Sequence, residues 1–207
     1  MIILVRHGEA NHHTEDLTGG WTDSVLTQRG EAQIGKMAIH LERFLKGKKV
    51  QIVASDFKRA KRSAQIIADR FGSPVISREF LREKNNGEAA NKSNTEAKLL
   101  KLPRQTADPD NRNYPGGETR REFFNRVVSG MADLQTEYPN QPLLIVAHKG
   151  TIQNLLFWWL NLSIDDVCRL AISFNVAAAS MSILTVNKWN EHEISLLNYR
   201  TDYGKDN

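Results

Sequence analysis

Cysteine is almost absent from this sequence, since Cys168 is the one thiol in 207 residues. A lone cysteine cannot form an internal disulfide, which excludes a disulfide-built secreted scaffold and favours a reducing compartment. The sequence also lacks an apolar run of the roughly 18 residues that a membrane-spanning helix needs, and its start lacks the pattern of a signal peptide. We therefore expect a cytoplasmic protein with no membrane partner.

A strong excess of one charge is also missing. The chain carries 28 Lys and Arg residues against 24 Asp and Glu residues, a formal net charge of +4. The basic clusters at 46–49, 58–62 and 120–121 are short, scattered and without an aromatic platform, so no nucleic-acid partner is expected. A mild positive balance suits a site that attracts small anionic molecules.

Short apolar runs alternate with amphipathic stretches along most of the chain. Strands are predicted at 2–5, 50–54, 75–76 and 143–147, helices at 27–46, 58–71, 119–138 and from 151 to about 160, and an antiparallel strand pair at 178–186 and 192–199. This alternation predicts a single α/β domain over 1–207, a three-layer sandwich in which helices flank a mainly parallel central sheet.

Two polar segments interrupt this pattern. Residues 8–26 are predicted to form a long polar loop. Residues 79–117 are polar and contain one short helical patch, at 95–102. An insertion of that length in a compact domain usually has a binding role, so we predict a lid over the carboxyl edge of the sheet, with a disordered surface excursion as the alternative.

Cationic and imidazole side chains follow three of the predicted strands. Arg6 and His7 end the first strand, His148 ends the strand at 143–147, and Arg59 lies in the first helical turn after the strand at 50–54. Neighbouring parallel strands would bring these four residues to one edge of the sheet, where ligands of α/β proteins bind. Two arginines and two histidines there predict a pocket for a dianion such as phosphate.

The motifs along the chain resemble those of the histidine phosphatase superfamily, which includes cofactor-dependent phosphoglycerate mutases. They occur in the family's order and span nearly the whole sequence. The matching residues are Arg6-His7-Gly8-Glu9, residues 20–27 with Gly30 and Gln33, Ser55-Asp56, Arg59-Ala60, Ser63-Ala64, Leu81-Arg82-Glu83, residues 115–119 with Arg126, and Ala147-His148.

This resemblance implies roles for five of the matching residues. His7 would attack phosphorus to give a phosphohistidine, while Arg6, Arg59 and His148 would bind the phosphoryl oxygens. Glu83 would protonate the leaving oxygen and later deprotonate water, with Glu88 as the alternative acid. No cofactor or metal ion is implied, because arginines and histidines supply the positive charge.

Two further residues are candidate phosphate contacts. Asn11 follows His7 in the same loop, and Lys149 stands where the family usually has glycine, so that its side chain either binds phosphate or points away. The adjacent histidines His12 and His13 fit no standard metal-ligand spacing and are predicted to form part of a polar loop over the pocket.

The resemblance leaves three functions open. We favour a phosphomonoester hydrolase of the phosphatase branch, acting on a small phosphorylated metabolite, because the chain is short and only partly matches the mutases around Glu83. A cofactor-dependent phosphoglycerate mutase is the second candidate, and a non-catalytic protein that binds phosphorylated ligands is the third. A homodimer is a further expectation, with Trp158 and Trp159 as the first candidates for its interface.

Overall fold

The structure is a computed structural model, and it describes residues 1–103 and 108–201. Residues 104–107 of the predicted insertion, and 202–207 at the end of the predicted domain, lie outside the described residues. The strands are β1 (Ile2–Arg6), β2 (Gln51–Ala54), β3 (Val75–Ser77), β4 (Leu143–Ala147), β5 (Met181–Val186) and β6 (His192–Tyr199). The helices are α1 (Asn11–Thr14), α2 (Gln28–Leu45), α3 (Lys58–Phe71), α4 (Asn94–Leu99), α5 (Arg120–Glu137), α6 (Lys149–Trp159) and α7 (Ile164–Arg169).

The strands form one six-stranded sheet in the order β3-β2-β4-β1-β5-β6. The first four strands of that order are parallel, whereas β5 runs antiparallel to β1 and β6 antiparallel to β5. The predicted α/β fold with a mainly parallel sheet is therefore confirmed, as is the antiparallel pair near the end of the described chain. No helix among the described residues is both long enough and apolar enough to cross a bilayer.

Each buried strand supplies side chains to two cores, one on each face of the sheet. In β1, Ile2 and Leu4 pack with α5 and α6, and Ile3 and Val5 pack with α2 and α3. Successive side chains of a strand point to opposite faces, so an unbroken apolar run is what a sheet covered on both sides requires. Fully burying one such side chain stabilises the fold by about 1.5–3 kcal/mol.

The long helices begin at side-chain caps. The Thr27 hydroxyl accepts from the Gly30 amide at the start of α2, and the Thr119 hydroxyl accepts from the Glu122 amide at the start of α5. Glu122 returns the contact by accepting from the Thr119 amide, so the start of α5 is a complete capping box. These caps fix where both helices leave their loops.

The irregular segments are more ordered than the sequence predicts. The predicted loop at 8–26 contains the short helix α1, and the insertion contains 3-10 turns at Glu79–Leu81 and Gly87–Ala89 besides α4. Helix α7 was not predicted, because a single turn and a half gives little periodicity to read. Strand β5 begins at Met181 rather than 178, since Ala179 adopts a left-handed φ of 54° that no strand accommodates.

The loop after β1 lies directly against the start of α2 through two glycines. A Cβ atom on Gly30 would overlap the Glu9 carbonyl oxygen, and one on Gly8 would overlap the Gly30 carbonyl oxygen. Both overlaps are with backbone, which cannot rotate away. Gly8 and Gly30 therefore set how closely the residues after His7 approach α2.

We predict that Gly30→Ala lowers the free energy of unfolding by about 2 kcal/mol or more, as overpacking against backbone does. Gly35→Ala is the matched control, because it lies in the same helix and a Cβ there meets nothing within 4 Å. We expect it to raise stability by roughly 0.5–1 kcal/mol, since alanine favours a helix over glycine. Urea unfolding of both variants is the test, and equal effects would contradict the close approach.

Candidate active site

The carboxyl ends of three parallel strands meet at one edge of the sheet. β4 lies between β1 and β2, and Arg6 of β1 is level with Ala147 of β4. The His7 amide extends this pairing by donating to the Ala147 carbonyl oxygen at 3.0 Å. The register therefore brings the residues after each strand together, and the ring centres of His7 and His148 are 5.1 Å apart.

His7 is buried, and its surroundings keep the imidazole neutral. Its Nδ1 is 2.7 Å from the Gly8 carbonyl oxygen, so this nitrogen carries the ring proton and Nε2 keeps its lone pair. Burial lowers the pKa of His7 well below its usual range. Nearby positive charge lowers it further, from His148, Arg59 and Arg6 in that order.

Backbone carbonyl groups hold the two arginines beside His7. Arg6 Nη1 donates to the Val176 oxygen at 2.8 Å. Arg59 Nη1 and Nη2 donate to the oxygens of Thr22 and Gly20 at 2.6 and 2.8 Å. Arg59 is 1% exposed, and burial lowers its pKa to about 10. The loop at 20–22 thus fixes the position of a buried cation.

His148 completes the group from the N-cap position of α6. Its Nε2 lies 2.9 Å from the Ser55 hydroxyl, which follows β2 and is itself fully buried. Burial lowers the pKa of His148 well below its usual range, and the charge of Arg59 lowers it further. Ser55 can donate to Nε2, which leaves the ring proton on Nδ1.

Three buried nitrogens of this group have no hydrogen-bond partner in the described part of the chain. They are Arg6 Nε, Arg59 Nε and His148 Nδ1. A buried donor without an acceptor costs about 1–3 kcal/mol, so three of them around one imidazole indicate that a ligand supplies the acceptors. A phosphoryl group carries oxygen acceptors and negative charge in one compact unit.

Glu83 reaches this group from the insertion. Its two carboxylate oxygens accept from the amides of Lys84 and Gly150, at 2.8 and 2.9 Å. A Cβ atom on Gly150 would overlap the Glu83 carboxylate, so the glycine after Lys149 allows this approach. The charge of Glu83 also acts on the pKa values of Arg6 and Arg59, which it raises against the effect of burial.

Arg126 and Trp21 position the backbone that carries Glu83. Arg126 donates to the carbonyl oxygens of Phe80, Arg82 and Glu83 and is paired with Glu118. Trp21 Nε1 donates to the Glu83 carbonyl oxygen at 2.8 Å. Sequence reasoning assigned no role to either residue, because hydrogen bonds to main-chain carbonyls leave no pattern in a sequence.

The alternative acid, Glu88, is placed differently. It is exposed on the 3-10 turn at Gly87–Ala89, where its amide donates to the Pro115 carbonyl oxygen. The structure therefore brings Glu83, and not Glu88, to Arg6, His7, Arg59 and His148. Which carboxyl group transfers the proton stays a prediction until it is measured.

The structure does not bring Asn11 and Lys149 into this group by any hydrogen bond of their side chains among the described residues. Asn11 begins α1, and its backbone pairs with Val25 and Glu15. Lys149 is exposed at the first residue of α6. Phosphate binding by either residue remains a prediction.

His12 and His13 lie over the nucleophile, on a helical turn rather than a loop. The His13 ring is stacked on His7 with centres 5.6 Å apart, and the His12 ring is 6.0 Å from His7. His13 Nε2 is 2.9 Å from Arg6 Nη2, while His13 Nδ1 accepts from the Ala10 amide. The sequence analysis predicted a loop here, whereas a prediction of one helical turn at 11–14 would have placed residue 13 near His7.

His7, His12 and His13 each place one ligand nitrogen within 4.8 Å of the others, a spacing that could hold a metal ion. The surrounding charge opposes a cation. Burial and positive neighbours lower the pKa values of His12 to about 3 and His13 to about 4, and Arg6 and Arg59 are among those neighbours. The same field that removes protons from these rings favours an anion here.

Trp158 and Trp159, the candidates for a dimer interface, pack within the chain. Trp159 is buried, its ring stacks on His192 with centres 4.1 Å apart, and its Nε1 donates to the Glu193 carbonyl oxygen. Trp158 is half-buried against the core on the α5 and α6 face. The predicted homodimer is not tested by these contacts.

Comparison with known proteins identifies the family. The family model for the histidine phosphatase superfamily (branch 1) matches residues 2–199. The chain is 34% identical over 155 residues to "Uncharacterized phosphatase PhoE" of Bacillus subtilis (strain 168), with 75% of each chain covered. It is 30% identical over 160 residues to "Phosphoglycerate mutase-like protein 4" of Arabidopsis thaliana, covering 74% of this chain and 68% of that one.

Among solved structures, the fold is similar to that of the alpha-ribazole phosphatase from Shigella flexneri. The TM-score is 0.78 at 22% identity, with 96% of each chain covered. The family match covers the same residues that form the sheet and the group of side chains at its strand ends. The chain belongs to the histidine phosphatase superfamily, branch 1.

Proposed function

We propose that this protein hydrolyses phosphomonoesters through a phosphohistidine intermediate on His7, without a metal ion. Membership of the superfamily and the named phosphatase relatives make it a phosphatase, and the proposal concerns the chemistry and the residues. The observation that carries it is the set of buried, unpartnered nitrogens of Arg6, Arg59 and His148 around the neutral ring of His7.

The first chemical step forms a bond between His7 Nε2 and phosphorus and breaks the bond from phosphorus to the ester oxygen. Glu83, which takes up a proton when the negatively charged ester binds beside it, gives that proton to the ester oxygen, and the alcohol leaves. In the second step Glu83 takes a proton from water, the resulting hydroxide attacks phosphorus, and the bond to Nε2 breaks. Inorganic phosphate leaves, and both His7 and Glu83 return to their starting forms.

Charge stabilisation in both steps comes from the chain itself. The buried Nε–H groups of Arg6 and Arg59 and the Nδ1–H group of His148 would bind the phosphoryl oxygens as charge develops on them. His13 Nε2 faces Arg6 Nη2 at 2.9 Å, and its Nδ1 already accepts from Ala10. A neutral imidazole accepts at one nitrogen only, so His13 Nε2 carries the ring proton and faces another donor, Arg6 Nη2. A phosphoryl oxygen that accepts from both nitrogens would satisfy the two donors.

We further propose a substrate class and a cellular location for the enzyme. Its substrate would be a small phosphorylated metabolite, since the site is a compact group of side chains and not an extended surface. A cytoplasmic location is supported by the single, buried Cys168. Phosphoglycerate mutase activity is the second candidate, because "Phosphoglycerate mutase-like protein 4" is among the relatives.

We predict that His7→Ala lowers phosphate release from 4-nitrophenyl phosphate by about 10⁴-fold or more, because no other nucleophile is in place. Wild-type turnover should persist with a chelator present. Mass spectrometry after an alkaline quench should find phosphate on His7. His40→Ala, on α2, is the control and should turn over near the wild-type rate. Isomerisation of 3-phosphoglycerate with little phosphate release would instead favour the mutase. Absence of phosphate release from every ester tested would favour a non-catalytic protein that binds phosphorylated ligands.

We predict that Glu83→Gln slows hydrolysis of an alkyl phosphate far more than that of 4-nitrophenyl phosphate. An alkoxide needs a proton to leave and nitrophenolate does not, and general acid catalysis is worth about 10²–10⁴-fold. Glu88→Gln is the matched control, since this carboxylate is exposed and five positions away in the same insertion. Equal slowing of both esters by Glu83→Gln would argue against the acid role.

We predict that the protein loses stability as the pH is lowered below about 6.5, the usual histidine pKa. His7 and His148 have lowered pKa values, so only the unfolded chain takes up protons there. The free energy of unfolding should fall by up to about 1.4 kcal/mol per pH unit for each histidine. Urea unfolding at several pH values should show a smaller slope for His148→Gln, and an unchanged slope would contradict the assignment.

A further inference from the structure

A cavity of about 720 Å³ opens on one side of Glu83. Cavities of roughly 300–1,000 Å³ are the size that binds small molecules. It borders the site at Glu83 and Gly150, while Arg6, His7, Arg59 and His148 do not line it. An acid that protonates a leaving group contacts the ester oxygen, so a cavity that opens beside Glu83 and away from the phosphate-binding residues lies where the rest of the leaving group would go.

The floor of the cavity is apolar and partly aromatic. It is made by side chains from α5, α6 and α7, namely Phe123, Phe157, Ile164 and Val167. Aromatic rings and branched aliphatic side chains favour a flat, apolar body over a small hydrated one. A leaving group of one or two carbons would leave this surface in contact with water.

Asn154 adds a polar group to the wall. It is 6% exposed, and its Nδ2 has no hydrogen-bond partner among the described residues. Its neighbour Gln153, by contrast, donates to Ser173 and Phe174. A buried amide nitrogen without an acceptor in the wall of a cavity indicates that a ligand provides one.

Arg120 adds a positive charge at the edge of the same cavity. Three arginines near it in the structure are paired: Arg112 with Glu122, Arg121 with Asp110 and Asp165, and Arg126 with Glu118. Arg120 has no hydrogen-bond or ion-pair partner within 1–103 and 108–201. Arg120 also lies in the first turn of α5, where the helix dipole disfavours a cation. Its positive charge therefore does not stabilise its own helix.

A second cavity of about 320 Å³ also borders Glu83, and several of its polar side chains are already bonded within the protein. Asn86 there accepts from Trp21 and donates to Gly19, and Glu118 accepts from Arg126. Asn154, whose buried amide has no acceptor among the described residues, and Arg120 line the larger cavity and not the smaller one. This difference decides which of the two spaces takes the leaving group.

We infer that the larger cavity is a leaving-group subsite for phosphomonoesters with a flat apolar body and an anionic group, such as a carboxylate. The apolar floor would cover the body, Arg120 would pair with the anion, and Asn154 would donate to an acceptor on the ligand. The inference deepens the proposed function and rests on it, since it takes Glu83 as the acid.

The test compares 2-naphthyl phosphate with 6-carboxy-2-naphthyl phosphate, which differ only in the anion. Wild-type enzyme should hydrolyse the carboxylate ester with a kcat/KM roughly tenfold higher, the value of a charge-assisted contact at a partly exposed site. Arg120→Gln should bring the ratio of the two kcat/KM values close to one. Arg43→Gln removes the same charge from the exposed side of α2 and should leave that ratio unchanged.

Binding of the product 6-hydroxy-2-naphthoate, measured by calorimetry, separates this inference from the proposed function. Wild type and Arg43→Gln should bind it about tenfold more tightly than Arg120→Gln, and Asn154→Leu should weaken binding without removing charge. Hydrolysis of both esters with equal kcat/KM values and no effect of Arg120→Gln would overturn the subsite and leave the phosphatase intact. Failure to hydrolyse either naphthyl ester or 4-nitrophenyl phosphate would overturn the proposed function, while binding of 6-hydroxy-2-naphthoate would still show whether the cavity is a subsite.

Discussion

The structure depends on one constraint, which is that two guanidinium groups beside His7 bond to backbone carbonyl oxygens and not to a carboxylate. Arg59 is 1% exposed, and neither Arg6 nor Arg59 forms an ion pair within the described residues. Burying an unpaired charge costs several kcal/mol. Carbonyl oxygens offset part of that cost, and the nitrogens they leave unbonded give the site its affinity for an anion.

The same constraint explains why the segments around the site are ordered. The loop at 20–22 turns its carbonyl groups toward Arg59, and Val176 does so toward Arg6. Asn86 in turn bonds to Gly19 and Trp21, so the insertion is tied to that loop. Residues far apart in the chain thus depend on one buried positive charge for their conformation.

Glu83 belongs to a different set of contacts from Arg6, His7, Arg59 and His148. Glu83 is held by the amide of Gly150 and by Arg126, which reaches its backbone from α5. The phosphate side is therefore built from strand ends, and the acid side from the insertion and two helices. In the proposed mechanism, this division would let the insertion and the α5–α7 surface vary the leaving group while His7 and its neighbouring cations stay in place.

The sequence by itself determined the α/β class, the strand ends that carry Arg6, His7 and His148, and the family. These follow from local patterns, because short apolar runs and capped amphipathic helices are each encoded within a few neighbouring residues. Only the tertiary structure separated Glu83 from Glu88, brought His13 rather than Asn11 to Arg6, and placed Arg120 beside a cavity with no partner among the described residues. Those outcomes rest on contacts between segments distant in the chain, many of them to main-chain atoms, which no residue pattern records.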